Sequence, residues 1–212
     1  MTRLWLLLIL FTYQVCLADS LILKSVTKKY KKSALVEITV EKTVVSELLG
    51  KETKFKGKIY LSSGLFRFEN NEPEKTLLVY DGSILWNEQS PPAEFPGPVQ
   101  VAKSKLSKKN KSQILISSLL GQGELNENFK IKAEKKMGDV VALTVEPKTS
   151  ELNIKQLELK IIVKTKVVSE LNYKDDVGNE TKMIFLNTTF KSKKNDKLFK
   201  YVPPKDAQVT NL

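Results

Sequence analysis

The sequence predicts a mainly β (α+β) fold: a curved, partly open antiparallel barrel of about eleven strands with short helices over its mouth. Three observations carry this. Most of the chain alternates apolar and polar residues with period two, which gives each strand one core face and one wet, Lys-rich face. Two short stretches with apolar faces at helical spacing stand apart, one before the strands and one interrupting them. The third is a hairpin in which Leu77–Tyr80 and Ile84–Trp86 flank Asp81-Gly82-Ser83. Asp-Gly between apolar runs signals a tight turn, yet both faces of these runs are apolar, so both need cover. A sheet of this size either closes or splits into two packed layers, and a two-layer sandwich is the alternative architecture.

The chain opens with Met1-Thr2-Arg3, the uncharged run Leu4–Val15 and Cys16-Leu17-Ala18 before Asp19, the plan of a secretory signal peptide cleaved after Ala18. The apolar run is shorter than the about 20 residues of a membrane span. Acylation at Cys16 is the rival reading, against which stand Val15 and Tyr13 where small residues are needed. Residues 19–212 then form a single exported domain, large enough for a real core. The one Cys leaves with the leader, so that core, and no disulfide, holds the domain.

Ser20–Ser33 predicts an amphipathic helix through Leu21, Leu23, Val26 and Tyr30, capped by Asp19 or Ser20. Strand alternation follows in Val36, Ile38 and Val40, then in Phe55, Gly57, Ile59 and Leu61. It resumes in Phe129, Ile131 and Ala133, in Val141, Leu143 and Val145, in Leu157, Leu159, Ile161 and Val163, and in Val167, Leu171 and Tyr173. Gly138-Asp139 and Asp175–Asn179 are turns. Ser90–Pro98 is too rich in Pro for a sheet interior, and Lys103–Lys111 reads as a polar, mobile connection. Ser112–Gly121 (SQILISSLLG) predicts a short helix with a Gly stop, packed on something apolar.

The absences narrow the chemistry. With no His, and no Cys after cleavage, Ser-His-Asp and Cys-His catalysis and His- or Cys-ligated zinc are excluded. Paired-carboxylate hydrolysis needs only Asp and Glu, but Asp175-Asp176 sits in a turn that explains it, and the inward positions are nearly all apolar. The expectation is therefore no enzyme, no metal and no cofactor. The formal charge of +11 becomes +10 without Arg3, and Arg67 is then the only Arg. That argues against nucleic acid, which is usually read by Arg. The charge is either a solvated surface or an attraction to anionic membranes or acidic partners. An apolar concavity without acids binds an apolar ligand. Trp86 and Phe95 read equally as ligand-facing aromatics or as core.

LFRFENNEPEKTLLVYDGSILWN (residues 65–87) resembles the signature hairpin of the LolA family, periplasmic carriers of lipoproteins to the outer membrane of Gram-negative bacteria. Phe66-Arg67-Phe68, Pro73, Leu77–Tyr80, Asp81-Gly82 and Leu85-Trp86 match in order, as do ILISSLLGQGEL (114–125), VEPK (145–148), DDVGNET (175–181) and FKYVPP (199–204). The resemblance implies an unclosed antiparallel barrel with a helical lid over a hydrophobic cavity for acyl chains. The expected lipid-contacting residues are the apolar positions Val36, Ile38, Val40, Phe55, Ile59, Leu61, Phe66, Phe68, Leu78, Tyr80, Trp86, Leu115 and Leu119. The implied partners are acylated lipoproteins as cargo, an inner-membrane lipoprotein-releasing transporter and an outer-membrane acceptor, with the carrier itself a periplasmic monomer. The hairpin's second face would meet the cavity or the lid. One departure bears on mechanism: Ser62-Ser63 replace the basic residue and Pro usual before the Phe-Arg strand, a basic residue that in carriers of this kind holds the lid shut. The rival functions are a carrier of another lipid, the acceptor itself, an exported Asp/Glu hydrolase and a partner-binding sandwich.

Overall fold

The computed structural model describes residues 20–92, 94–105, 129–148 and 154–212. Helix α1 spans Leu21–Lys32, with the Ser20 side chain accepting from the Leu23 amide at its N-cap. Strands β1 (Leu35–Val45), β2 (Glu52–Ser62), β3 (Leu65–Glu72), β4 (Thr76–Tyr80), β5 (Ile84–Gln89) and β6 (Gln100–Lys105) follow as a meander. A second meander comprises β7 (Phe129–Met137), β8 (Val140–Pro147), β9 (Ile154–Ile162), β10 (Val167–Asp175) and β11 (Glu180–Lys191). A short 3-10 turn, Asp196–Phe199, leads to β12 (Gln208–Asn211).

All twelve strands belong to one sheet, ordered β12-β6-β5-β4-β3-β2-β1-β11-β10-β9-β8-β7. Pairing β1 with β11 joins the two meanders, and β12 adds in parallel to β6. The edges β12 and β7 do not pair, so the barrel is unclosed. Leu85 on β5 and Ile131 on β7 stand nine strands apart in that order yet belong to one apolar cluster with α1. The sheet therefore curls around the helix, and the face that gathers the cluster is concave.

Irregularities place several side chains where simple alternation does not. A register shift between Val168 and Glu170 turns Val168 inward, so Val168, and not Val167, joins Leu171 in the core. A second, between Ile131 and Ala133, carries Ala133 out to solvent. A third shift lies at Lys56/Gly57, where the β3 backbone approaches so closely that a Cβ on Gly57 would lie 2.0 Å from the Glu69 carbonyl oxygen. Lys103–Lys105, expected in a connection, pair with β5 as part of β6. β12 escaped the alternation because it is a four-residue edge strand, exposed throughout. The expected helix at Ser112–Gly121, with Leu115 and Leu119, lies outside the described residues.

A candidate binding face inside the curled sheet

Register decides which apolar residues meet. On β1 the concave face carries Val36, Ile38 and Val40, opposite Leu61, Ile59 and Gly57 on β2. Ile59 and Leu61 pair in turn with Phe68 and Phe66, these with Leu78 and Tyr80, and Tyr80 with Leu85. Ten of the thirteen expected contact residues are thereby on one face: Val36, Ile38, Val40, Ile59, Leu61 and Phe66 in the buried cluster, Phe68, Leu78 and Tyr80 packed half-buried against it, and Phe55 in the same alternation on β2. The second meander supplies the rest of the face through Leu143, Leu157, Leu159, Leu171, Met183 and Phe185. The alternation of Leu143, Leu157, Leu159 and Leu171 was visible in the sequence, that of Met183 and Phe185 was not read there, and the convergence of all six with the first set depends on the β1–β11 pairing across well over a hundred residues of chain.

Helix α1 lies against this face through Leu23, Val26 and Tyr30. Its C-terminal half is held where β1 begins. The Tyr30 ring meets Phe190 edge-on at 5.1 Å, Lys29 Nζ sits 4.3 Å from the Phe190 centroid, and the same ammonium donates to the Thr165 carbonyl at 2.7 Å. Burial pushes the Tyr30 hydroxyl up to about 12. The Ser62 hydroxyl, which with Ser63 replaces the basic residue and Pro noted above, donates to the Ala34 carbonyl at 2.7 Å and so ties down the junction between α1 and β1.

Trp86 is the exception among the expected contacts. It pairs with Val79, and both point to the convex face, opposite to Leu85 and Leu78. That face is covered by the C-terminal segment: Phe199 and Leu198 pack on Leu35, Tyr60 and Leu65, while Tyr201 stacks on Trp86 at 5.2 Å. Arg67 Nη1 donates to the Leu198 carbonyl at 3.1 Å, and the Tyr201 hydroxyl donates to Glu88 at 2.5 Å. Burial, reinforced by the Glu88 carboxylate, raises the Tyr201 hydroxyl well above its usual range. The hairpin thus has its second apolar face under the chain's own C-terminal segment, and neither the cavity nor a helical lid is what it meets. Phe95 is neither core nor wall; it is exposed.

The convex side carries a cluster of paired charges. A groove of about 790 Å³ there is lined by Glu52, Glu158, Glu170, Lys160 and Lys182. Lys160 and Glu170 pair at 2.8 Å, and Asn172 donates to the same carboxylate at 2.7 Å. Burial alone would raise Glu170, but these bonds outweigh it and hold the carboxyl below its ordinary value. Its carboxylates are thus committed to lysines, and among the described residues no group of His, Cys, Asp or Glu could hold a metal ion.

An unclosed, mainly antiparallel sheet curled around an apolar face, with a helix laid on that face, defines a class of β-sheet protein organised around an apolar interior. The comparisons agree. The family described as Outer membrane lipoprotein carrier protein LolA matches residues 36–202, and the chain belongs to that family. An outer-membrane lipoprotein carrier protein of Chromobacterium violaceum is 25% identical over 163 residues, which is 76% of this chain and 75% of that protein. One from Pseudomonas syringae pv. syringae is 27% identical over 150 residues, 69% of this chain and 66% of that protein. Among solved structures, an uncharacterized conserved protein of Thermus thermophilus shares the fold, with TM-score 0.52 and 15% identity over 90% of this chain and 97% of its own. No helix among the described residues is long and apolar enough to cross a membrane.

Proposed function

We propose that this chain is a periplasmic carrier that holds the acyl chains of lipoproteins against its concave face and ferries them from the inner to the outer membrane. The observation that supports this best is the single apolar face assembled by both meanders, in a chain whose family and relatives are lipoprotein carriers. Transferring a chain from water is worth about 0.8 kcal/mol per methylene, so one long acyl chain is held out of water by on the order of 10 kcal/mol. A multiply acylated protein therefore crosses an aqueous compartment only with a greasy escort. Contacts of this kind are non-directional, which suits a carrier that must also give up its load. The half-buried Phe55, Phe68, Leu78 and Tyr80 are the proposed acyl contacts, together with the deeper Val36, Ile38, Val40, Ile59, Leu61 and Phe66 once α1 gives way. Leu115 and Leu119 are proposed to contribute from the connection between β6 and β7. An inner-membrane releasing transporter and an outer-membrane acceptor are the proposed partners.

The test is release. Folded protein beginning at Asp19 is added to spheroplasts of the source species, and the supernatant is assayed for acylated lipoproteins in complex with it. A soluble complex is the expected result. An empty supernatant, with the transporter active toward another carrier, would overturn the reading.

A further inference from the structure

Along β1 the concave-face positions run Val36, Ile38, Val40, Lys42 and Val44. The first three are buried in the core; at the fourth an ammonium takes the place of an aliphatic group. Its neighbours across the sheet are Phe55 on β2 and Met183 on β11, and Lys42 Nζ lies 5.2 Å from the Phe55 centroid. Among the described residues no carboxylate pairs with it. Glu41 on the same strand, Lys54 and Lys56 on β2, and Glu180 and Lys182 on β11 all alternate onto the convex side. Burial alone lowers the Lys42 ammonium below the ordinary lysine range, with no neighbouring charge contributing. The next row toward the same end of the sheet is Val44 flanked by Thr53 and Thr181, which adds two hydroxyls and no charge.

A partly desolvated cation without a counter-ion costs free energy that a bound anion recovers. The surrounding aliphatic and aromatic groups exclude a small hydrated ion in favour of a ligand with an apolar body. We propose that Lys42 is a head-group site of the concave face, so that besides lipoprotein acyl chains this chain accommodates an anionic amphiphile with its phosphate or carboxylate at Lys42 and its acyl chain along the apolar wall. This goes beyond the lipoprotein reading and rests on it in one respect, that acyl chains lie on this face.

Displacement of the neutral fluorophore N-phenyl-1-naphthylamine from the intact mature protein tests it, with dodecanoate, dodecyl phosphate and uncharged dodecanol as competitors. The wild type is expected to bind one or both anions about tenfold more tightly than dodecanol, the size of one charge-assisted hydrogen bond. Which anion gains more identifies the head group. Lys42→Met should abolish the preference by weakening the anions without weakening dodecanol. Lys42→Arg should keep it, as should Lys54→Met, which removes an equal charge from the convex side of the same end. A preference that survives Lys42→Met, or a loss that falls on all three competitors alike, would overturn the assignment. Dodecanol binding without any anion preference in the wild type would overturn the head-group site and leave the acyl site standing. Failure of every competitor and of the fluorophore to bind would remove both.

Discussion

Asp81 shows how one side chain shapes the signature hairpin. Its Oδ1 accepts from the Ser83 amide, the Ser83 hydroxyl and the Ile84 amide, while Oδ2 accepts from the Trp86 indole at 3.2 Å. Gly82 takes φ +100, a conformation that the side chains of other residues resist. Burial would raise the Asp81 carboxyl, but those hydrogen bonds prevail and hold it below its ordinary value of 3.8. A carboxyl depressed on folding adds stability above its unfolded pKa and loses it as the pH falls through the folded one. Asp81→Ala is therefore expected to cost about 1 kcal/mol near neutrality, with solvent screening allowed for. In urea denaturation the gap to wild type should stay constant above about pH 5 and close as the pH drops below about 4. A gap independent of pH would show that the carboxylate's charge contributes nothing.

Among the elements, the C-terminal segment and α1 cover opposite faces of the same sheet, and they should be separable. Phe199 is fully buried against Leu35 and Tyr60 on the convex side. Phe199→Ala should lower unfolding free energy by about 3 kcal/mol and leave amphiphile affinity unchanged at a temperature where the variant is folded. A matching loss of affinity would mean that the two faces are coupled through the strands. For the concave face the contrast is between depths. Ile38 and Ile59 are 1% and 0% exposed, so an Asp at either removes the fold's own core. Leu78 is only half-buried on the same face. Leu78→Asp should cut affinity for acyl ligands at least tenfold with a smaller loss of stability than Ile38→Asp, read by the same displacement assay beside a melt. Equal losses of stability would make Leu78 ordinary core.

At the scale of the whole molecule, one curled sheet performs two tasks: its convex side holds paired charges and the C-terminal segment, and its concave side gathers the large apolar cluster, with the Lys42 ammonium set between Phe55 and Met183. The local patterns settled much of this unaided. Period-two alternation in Val36–Val40 or Leu157–Ile161 identifies half-buried strands because a pleated strand has only two faces, and Ser20 before an amphipathic run identifies the start of α1 because its hydroxyl serves a free amide. Which partner each face would meet was another matter. Trp86 read equally as a ligand-facing aromatic or as core until strand pairing put it beside Val79 under Tyr201, a residue more than a hundred positions away. Val168 displaced Val167 because a bulge, which local alternation does not reveal, shifts the phase by one residue. Lys42 read as one more lysine among many; only the β1–β2 and β1–β11 registers placed it inside, between Phe55 and Met183. Alternation is a property of neighbours in the chain and is legible there. The identity of the covering element is a property of long-range pairing, and only the folded sheet decides it.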